Sequence, residues 1–298
     1  MNPESGGRTA LCPLGHLRPL HLWPAAERRQ LLGVFTDIDD TLTTDGAITP
    51  DALAALHALQ GAGLAVIAIT GRPIGWCAPF ASTWPVDAMV AENGAAAFVY
   101  DKKGRQATSV LDSSLSKLYQ QDAAARADNF TRMQAVAQRL LREVPGAKLA
   151  QDSAGRETDI AIDHSEFTRL PPEHIAQVVQ IMQAEGMTAT VSSIHINGWY
   201  GGHNKLVGAR WIVQQLYQRE LDAELTRWAY VGDSANDQLM FQHFAHSVGV
   251  ANILGVAAQL AHLPRYVTPS ERGAGFAEVA AAVLAAKRAE PSAMSREP

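Results

Sequence analysis

The 298-residue sequence has little cysteine, little net charge and no long apolar run. Its two cysteines, Cys12 and Cys77, are too few for a disulfide framework or a thiolate zinc site, which points to a reducing compartment. Lysine and arginine total 25 against 30 aspartate and glutamate, a formal charge of −5. That balance lacks the clustered cations that displace counterions, so neither nucleic acid nor an anionic membrane is expected as a partner. No apolar stretch approaches the ~20 residues that span a bilayer. The best, GLAVIAIT at 63–70, has strand length. The start of the chain is interrupted by Pro13, His16, Arg18 and Pro19, which breaks any signal-peptide core, so a cytoplasmic location is expected. Also missing is a Gly-x-Gly-x-x-Gly turn after the first apolar run, which disfavours a dinucleotide-binding module. Gly201-Gly202-His203-Asn204-Lys205 has the wrong spacing for a Walker loop, and the ten histidines show no zinc-ligand spacing.

What is present is a globular composition, 47% hydrophobic and 18% charged, long enough for one large domain or two. Residues 31–37 (LLGVFTD) are nearly all apolar and end in an acid, the pattern of a strand buried on both faces in a parallel sheet. Helical spacing follows at 50–62, with Thr49 placed to cap it, then a second buried strand at 64–69. A third strand is predicted at 87–90, a turn at Asn93-Gly94 and a return at 95–100. Strand, helix and strand with short joints make the βαβ unit of a doubly wound α/β domain. The middle reads differently: a helix at 129–144, strands at 148–151 and 159–163, a helix at 173–185, and strands at 188–192 and 194–199. From 205 the α/β rhythm resumes with a helix at 205–217, a strand at 228–231, a helix at 237–243, a strand at 247–250 and a helix at 275–287. The expected organisation is a mostly parallel, doubly wound α/β core at 31–101 and 201–288, interrupted by an inserted α+β cap at 102–200. An N-terminal extension at 1–30 and a tail at 289–298 flank it.

Four segments carry chemistry. Asp37-Ile38-Asp39-Asp40-Thr41-Leu42 ends the first strand, and in an extended chain Asp37 and Asp39 point to one side. Both can then face the crevice at the carboxyl end of the sheet, where open α/β folds bind ligands. One carboxylate can attack an electrophile and hold a metal; the other can carry the proton for a leaving group. A solvated acidic turn is the plain alternative. Gly232-Asp233-Ser234-Ala235-Asn236-Asp237 follows another apolar run and adds two carboxylates, a donor set that suits Mg²⁺, although Ser234 or Asn236 could equally cap a helix there. Thr70-Gly71-Arg72-Pro73 offers a hydroxyl and a bare amide to phosphate oxygens, and Lys205 opens a helix where it could neutralise a phosphoryl group.

Taken in order, Asp-x-Asp, Thr, Lys and Gly-Asp-x-x-x-Asp resemble the haloacid dehalogenase superfamily over about residues 31–287. The long insert between Thr70 and Lys205 is similar to the branch with an α/β cap at that point, which includes sugar, sucrose-phosphate and mannosyl-phosphoglycerate phosphatases. Val90-Ala91-Glu92-Asn93-Gly94-Ala95 also resembles that branch. The resemblance implies Asp37 as the nucleophile that forms an aspartyl-phosphate. Asp39 would be the general acid and then base, its backbone carbonyl on Mg²⁺. Thr70, Gly71, Lys205 and Asn236 would hold the phosphoryl group, Asp233 would ligate Mg²⁺, and Asp237 would ligate it through water or brace Lys205. The family most often has Gly where Asp40 stands here; Asp tolerates left-handed backbone angles, so the turn can survive.

The weaker candidates are His195, Asn197 and Trp199, which alternate on the last cap strand, with Trp199 expected to stack on a sugar ring, and Arg72 as a substrate contact. An ordinary sheet face is the alternative for the first three, and pairing with a nearby acid for Arg72. The resulting expectation is a Mg²⁺-dependent phosphatase of a small phosphorylated metabolite such as a sugar phosphate. A phosphomutase using the same aspartyl-phosphate, or a silent regulatory protein on the same fold, are the competitors. Neither the substrate nor the oligomeric state is readable.

Overall fold

The computed structural model describes residues 17–100 and 115–288. Residues 1–16 of the expected extension with Cys12, residues 102–114 of the expected cap span, and the tail at 289–298 lie outside them. The elements are β1 (Arg18–Pro19), α1 (Ala25–Arg29), β2 (Gly33–Thr36), β3 (Thr43–Thr44), β4 (Ala47–Ile48), α2 (Pro50–Gly61), β5 (Ala65–Ile69) and α3 (Ile74–Ala81). Next come β6 (Ala88–Ala91), β7 (Ala96–Tyr100), β8 (Leu115–Tyr119), α4 (Ala123–Glu143), β9 (Lys148–Leu149), β10 (Ile160–Asp163), α5 (Pro172–Ala184), β11 (Thr188–Val191) and β12 (His195–Trp199). The chain ends with α6 (Lys205–Tyr217), β13 (Trp228–Gly232), α7 (Gln238–His243), β14 (His246–Gly249), β15 (Tyr266–Val267) and α8 (Arg272–Arg288).

Nine strands form one sheet in the order β1-β15-β14-β13-β2-β5-β6-β7-β8. Neighbours from β1 to β6 run parallel, and β7 and β8 are antiparallel additions at one edge. The central strands are apolar throughout because helices cover both faces. Val34 packs in the core under α2, α3 and α8, and its neighbour Phe35 in the core under α6 and α7, the two-residue period of a strand. Gly33 is dictated by close approach: a Cβ there would lie 2.5 Å from the Trp228 ring and 2.7 Å from the Ala65 carbonyl.

Four further strands form an antiparallel sheet, β11-β12-β10-β9, whose core with α4 and α5 is separate from the other two. This smaller unit sits in the chain between β8 and α6. β8 falls inside the 102–200 span expected for the cap, yet it pairs with β7 in the large sheet. α4 begins at Ala123, six residues before the expected start, because Asp122 caps it by accepting from the Ala125 amide. Thr49 stands at the cap position of α2 as expected but makes no capping hydrogen bond through its side chain.

Candidate active site

β13, β2 and β5 lie side by side, so the segments leaving their carboxyl ends converge: Asp233 after β13, Asp37 after β2 and Thr70 after β5. The Asp37 amide still pairs with the Val231 carbonyl at 2.9 Å, which holds the side chain at the sheet's rim. The turn behind it closes tightly, with the amides of Thr41, Leu42 and Thr43 all donating to the Ile38 carbonyl. Asp40 takes the left-handed conformation (φ 54°) this turn requires, the geometry where Asp substitutes for Gly.

Lys205 comes from the other side. Asn204 caps α6 through its Oδ1, which accepts from the Val207 amide at 2.9 Å. Gly208 lets that helix press on the turn after β6; a Cβ there would lie 2.5 Å from the Gly94 Cα. The Lys205 Nζ, buried, is thereby held 2.6 Å from Asp37 Oδ1, 2.6 Å from Asp237 Oδ1 and 3.3 Å from Asn236 Oδ1. Burial alone would lower its pKa, but Asp237 and Asp37 outweigh this and keep the ammonium charged.

Asp237 is fully engaged. Its Oδ1 also accepts from the Tyr230 hydroxyl, and its Oδ2 accepts from the amides of Asp233 at 2.9 Å and Ser234 at 3.1 Å. Its geometry is that of a brace for Lys205. Asp233 differs: Oδ2 accepts from Asn252 Nδ2 at 2.9 Å, whereas Oδ1 is buried without a hydrogen-bond partner. Carboxylate oxygens of Asp37, Asp233 and Asp237 come within 4.8 Å of one another. Burial pushes the carboxyl groups of Asp37 and Asp233 above the usual range, and their acidic neighbours add to the shift; Lys205 opposes it. Lys205 alone does not offset that burial and repulsion, and the unpartnered oxygen of Asp233 is a hard donor. The cluster therefore fits a divalent cation held by oxygen ligands.

Thr70 and Gly71 form the opposite wall. The Thr70 Oγ1 accepts from the Arg72 amide at 3.0 Å, and the Gly71 carbonyl accepts from two cap side chains, Arg156 at 3.0 Å and Asn197 at 3.3 Å. Asn197 also donates to Asp159 at 2.9 Å. His195 does not face an open pocket; its Nε2 meets Glu166 at 2.8 Å and its Nδ1 lies 3.4 Å from Arg156. The Arg72 guanidinium meets Asp39. Trp199 corrects the expectation of ring stacking on a sugar. It has no exposed surface, packs in the cap's own core, donates to the His203 carbonyl at 3.0 Å and stacks on His203.

The structure thus gathers Asp37, Asp233, Asn236, Asp237 and Lys205 at one point, with Asp39, Thr70, Gly71, Arg72, His195 and Asn197 around it. Asp37, Asp39, Gly71, Arg72, His195, Asn197 and Asn236 share a cavity of only about 10 Å³, room for little beyond a water. A larger hollow of about 490 Å³ lies along Phe241 to Arg265, away from every acid named here. Sequence reasoning missed Asp152, Arg156, Asp159 and Glu166, which no local spacing marks. It also read Glu92 only as part of a turn. The Glu92 carboxylate, fully buried, accepts from the Ile74 amide in α3 and from the amides of Glu157 and Thr158, so it pins the cap to the core.

Residues 34–128 match the family model of haloacid dehalogenase-like hydrolases. No curated protein matches in sequence. Among solved structures, the fold is similar to Thermoplasma acidophilum 0175 (18% identity, TM-score 0.61, 85% of this chain and 98% of that one). It is also similar to the sucrose-phosphatase of Synechocystis solved with sucrose and phosphate (17% identity, TM-score 0.59, 86% and 98%). The C-terminal domain of the C. albicans trehalose-6-phosphate phosphatase is a third likeness (14% identity, TM-score 0.59, 88% and 95%). At these identities the likeness is one of fold. The family match thus covers residues 34–128, and over the rest of the chain the likeness is one of fold.

Proposed function

We propose that the protein is a Mg²⁺-dependent phosphatase that hydrolyses a small phosphorylated metabolite, such as a sugar phosphate, through an aspartyl-phosphate on Asp37. The observation that carries this reading is the Lys205 ammonium bridging Asp37 and Asp237 beside the unpartnered oxygen of Asp233. The sucrose- and trehalose-phosphatase neighbours support the substrate class.

In this reading Lys205 fixes Asp37 through Oδ1, leaving the other oxygen to attack phosphorus. The Asp37 O–P bond forms as the P–O bond to the alcohol breaks, and Asp39 gives its proton to the departing oxygen. The Thr70 hydroxyl and the Gly71 amide steady the phosphoryl oxygens, with Asn236 at their side. Asp39 then takes a proton from water as it attacks the phosphoryl group, releasing phosphate and restoring Asp37. Asp37, Asp233 and the Asp39 carbonyl would hold Mg²⁺, which supplies positive charge against the phosphoryl oxygens when bound. Phosphoryl transfer asks chiefly for such positioning and charge. The cap must lift for a metabolite to enter a cavity this small, and Arg72 must yield Asp39 to the leaving group.

Release of p-nitrophenol from p-nitrophenyl phosphate, dependent on Mg²⁺ and abolished by chelator, tests the activity. Asp37→Asn should lower the rate by at least about 10³-fold. An unaltered rate in that variant would remove Asp37 as nucleophile.

A further inference from the structure

Arg72 is where the cap reaches the leaving-group side of the crevice. Its guanidinium lies over the Trp76 ring and meets three carboxylates: Asp39 at 2.9 Å, Asp152 at 3.0 Å and Glu166 at 2.7 Å. Asp152 is shared with Arg156, which is itself paired to Asp159. Asp39, Asp152 and Glu166 thus all meet the one Arg72 guanidinium, an excess of negative charge around it. Glu166 is ionised at neutral pH: burial opposes its charge, yet hydrogen bonds from His195 and Arg72 bring its pKa down to about 2.

An alcohol expelled from a phosphoryl group on Asp37 emerges beside Asp39, so its far end meets Arg72 together with Glu166 and Asp152. A carboxylate on that alcohol would be one more anion around a guanidinium already divided among three. Like-charge juxtaposition of that kind disfavours the wrong partner. Hydroxyl groups fit the same surroundings, since they donate to carboxylates and accept from a guanidinium.

We propose that Glu166 and Asp152 make the site selective for phosphomonoesters of uncharged, hydroxyl-bearing alcohols and reject those whose alcohol carries a carboxylate. The inference rests on the phosphatase reading above. It is tested with a matched pair, glycerol 3-phosphate and 3-phosphoglycerate, in which a terminal hydroxymethyl group is replaced by a carboxylate. Both are measured as substrates and as competitors of p-nitrophenyl phosphate. The wild-type protein should favour glycerol 3-phosphate by at least about tenfold in kcat/KM or in competition, and Glu166→Gln and Asp152→Asn should each shrink that preference by about tenfold. The two changes are isosteric and are made separately, so either folded variant decides. Equal use of the pair by the wild type, a preference unchanged in the variants, or failure of both esters to react or compete overturns the proposal while p-nitrophenyl phosphate is still cleaved. If p-nitrophenyl phosphate is itself inert with Mg²⁺, the phosphatase reading falls and takes the filter with it.

Discussion

Lys205→Met is the most informative single change, because one ammonium holds the site together. The side chain is 1% exposed and contacts two carboxylates at 2.6 Å. At an effective dielectric of about 20, each contact is worth roughly 6 kcal/mol of gross attraction. Most of that is offset by the cost of taking three charges out of water, so the gross sum is not the stability lost. What remains after truncation is Asp37 and Asp237 buried together without a cation, and breaking a buried pair in this way costs about 3–5 kcal/mol. Methionine keeps the bulk and the apolar stem, so cavity formation adds little. The pH dependence follows from the sign of the shifts. Burial holds the folded-state pKa of Asp37 at about 8, above the unfolded value of about 3.9, and loss of Lys205 raises it further. The folded variant then binds protons the unfolded chain does not. Its deficit therefore grows as pH rises through about 8, where the wild-type carboxyl ionises and that of the variant does not, and is no larger at lower pH. Urea denaturation of both proteins in chelator, at pH 8 and at pH 5, reads this directly. A deficit below about 1 kcal/mol at pH 8, or a larger one at pH 5 than at pH 8, would refute the assignment of Lys205 as the charge bridge.

Two other expectations are independent of that one. Asp39→Asn should slow hydrolysis of an alkyl phosphate by about 10²–10⁴-fold, measured as phosphate release; a normal rate would remove Asp39 from the mechanism. His203 is buried, stacked on Trp199 and without a partner for either ring nitrogen, and burial lowers its pKa to about 4. The unfolded chain binds that proton near pH 6.5, so stability present above 6.5 is lost as pH falls toward 4, by about 3 kcal/mol at most. His203→Gln should flatten the fall, and identical pH profiles of urea stability in the two proteins would contradict the role given to this imidazole.

The α/β core was readable because its signals are local. A strand buried on both faces is almost wholly apolar, as in Gly33–Thr36 and Trp228–Gly232, and the acids follow at the next residue. A reader can find Asp37, Thr70 and Asp233 without knowing the partner strands, since strand ends in one parallel sheet share a rim. The cap contacts are of the opposite kind. Arg156 reaches Gly71 across 85 residues, Glu92 reaches Thr158 across 66, and Arg72 reaches Glu166 across 94. Each is a lone polar residue whose partner is fixed by tertiary packing, and no period or spacing marks it. β8 escaped notice for a related reason: Leu115–Tyr119 alternates weakly and is half exposed at a sheet edge, with a burial pattern unlike the central strands. Trp199 shows where the period-two rule stops. It shares parity with His195 and Asn197, but it ends β12, just before the left-handed Gly201, and there the ring turns inward onto His203.

A net charge of −5 looks unsuited to an anionic substrate until the charges are placed. Asp37, Asp233 and Asp237 are set against the single ammonium of Lys205 in one buried cluster. In the proposed reaction a divalent cation would make up the missing positive charge. In the proposed reaction the phosphoryl group would then be met by dipoles, the amide of Gly71 and the hydroxyl of Thr70. The cap reinforces those dipoles indirectly, because Arg156 and Asn197 both donate to the Gly71 carbonyl. In the proposed reaction, lifting the cap to admit substrate would break these two bonds and closing it would remake them, so that entry and chemistry would be coupled through one backbone carbonyl.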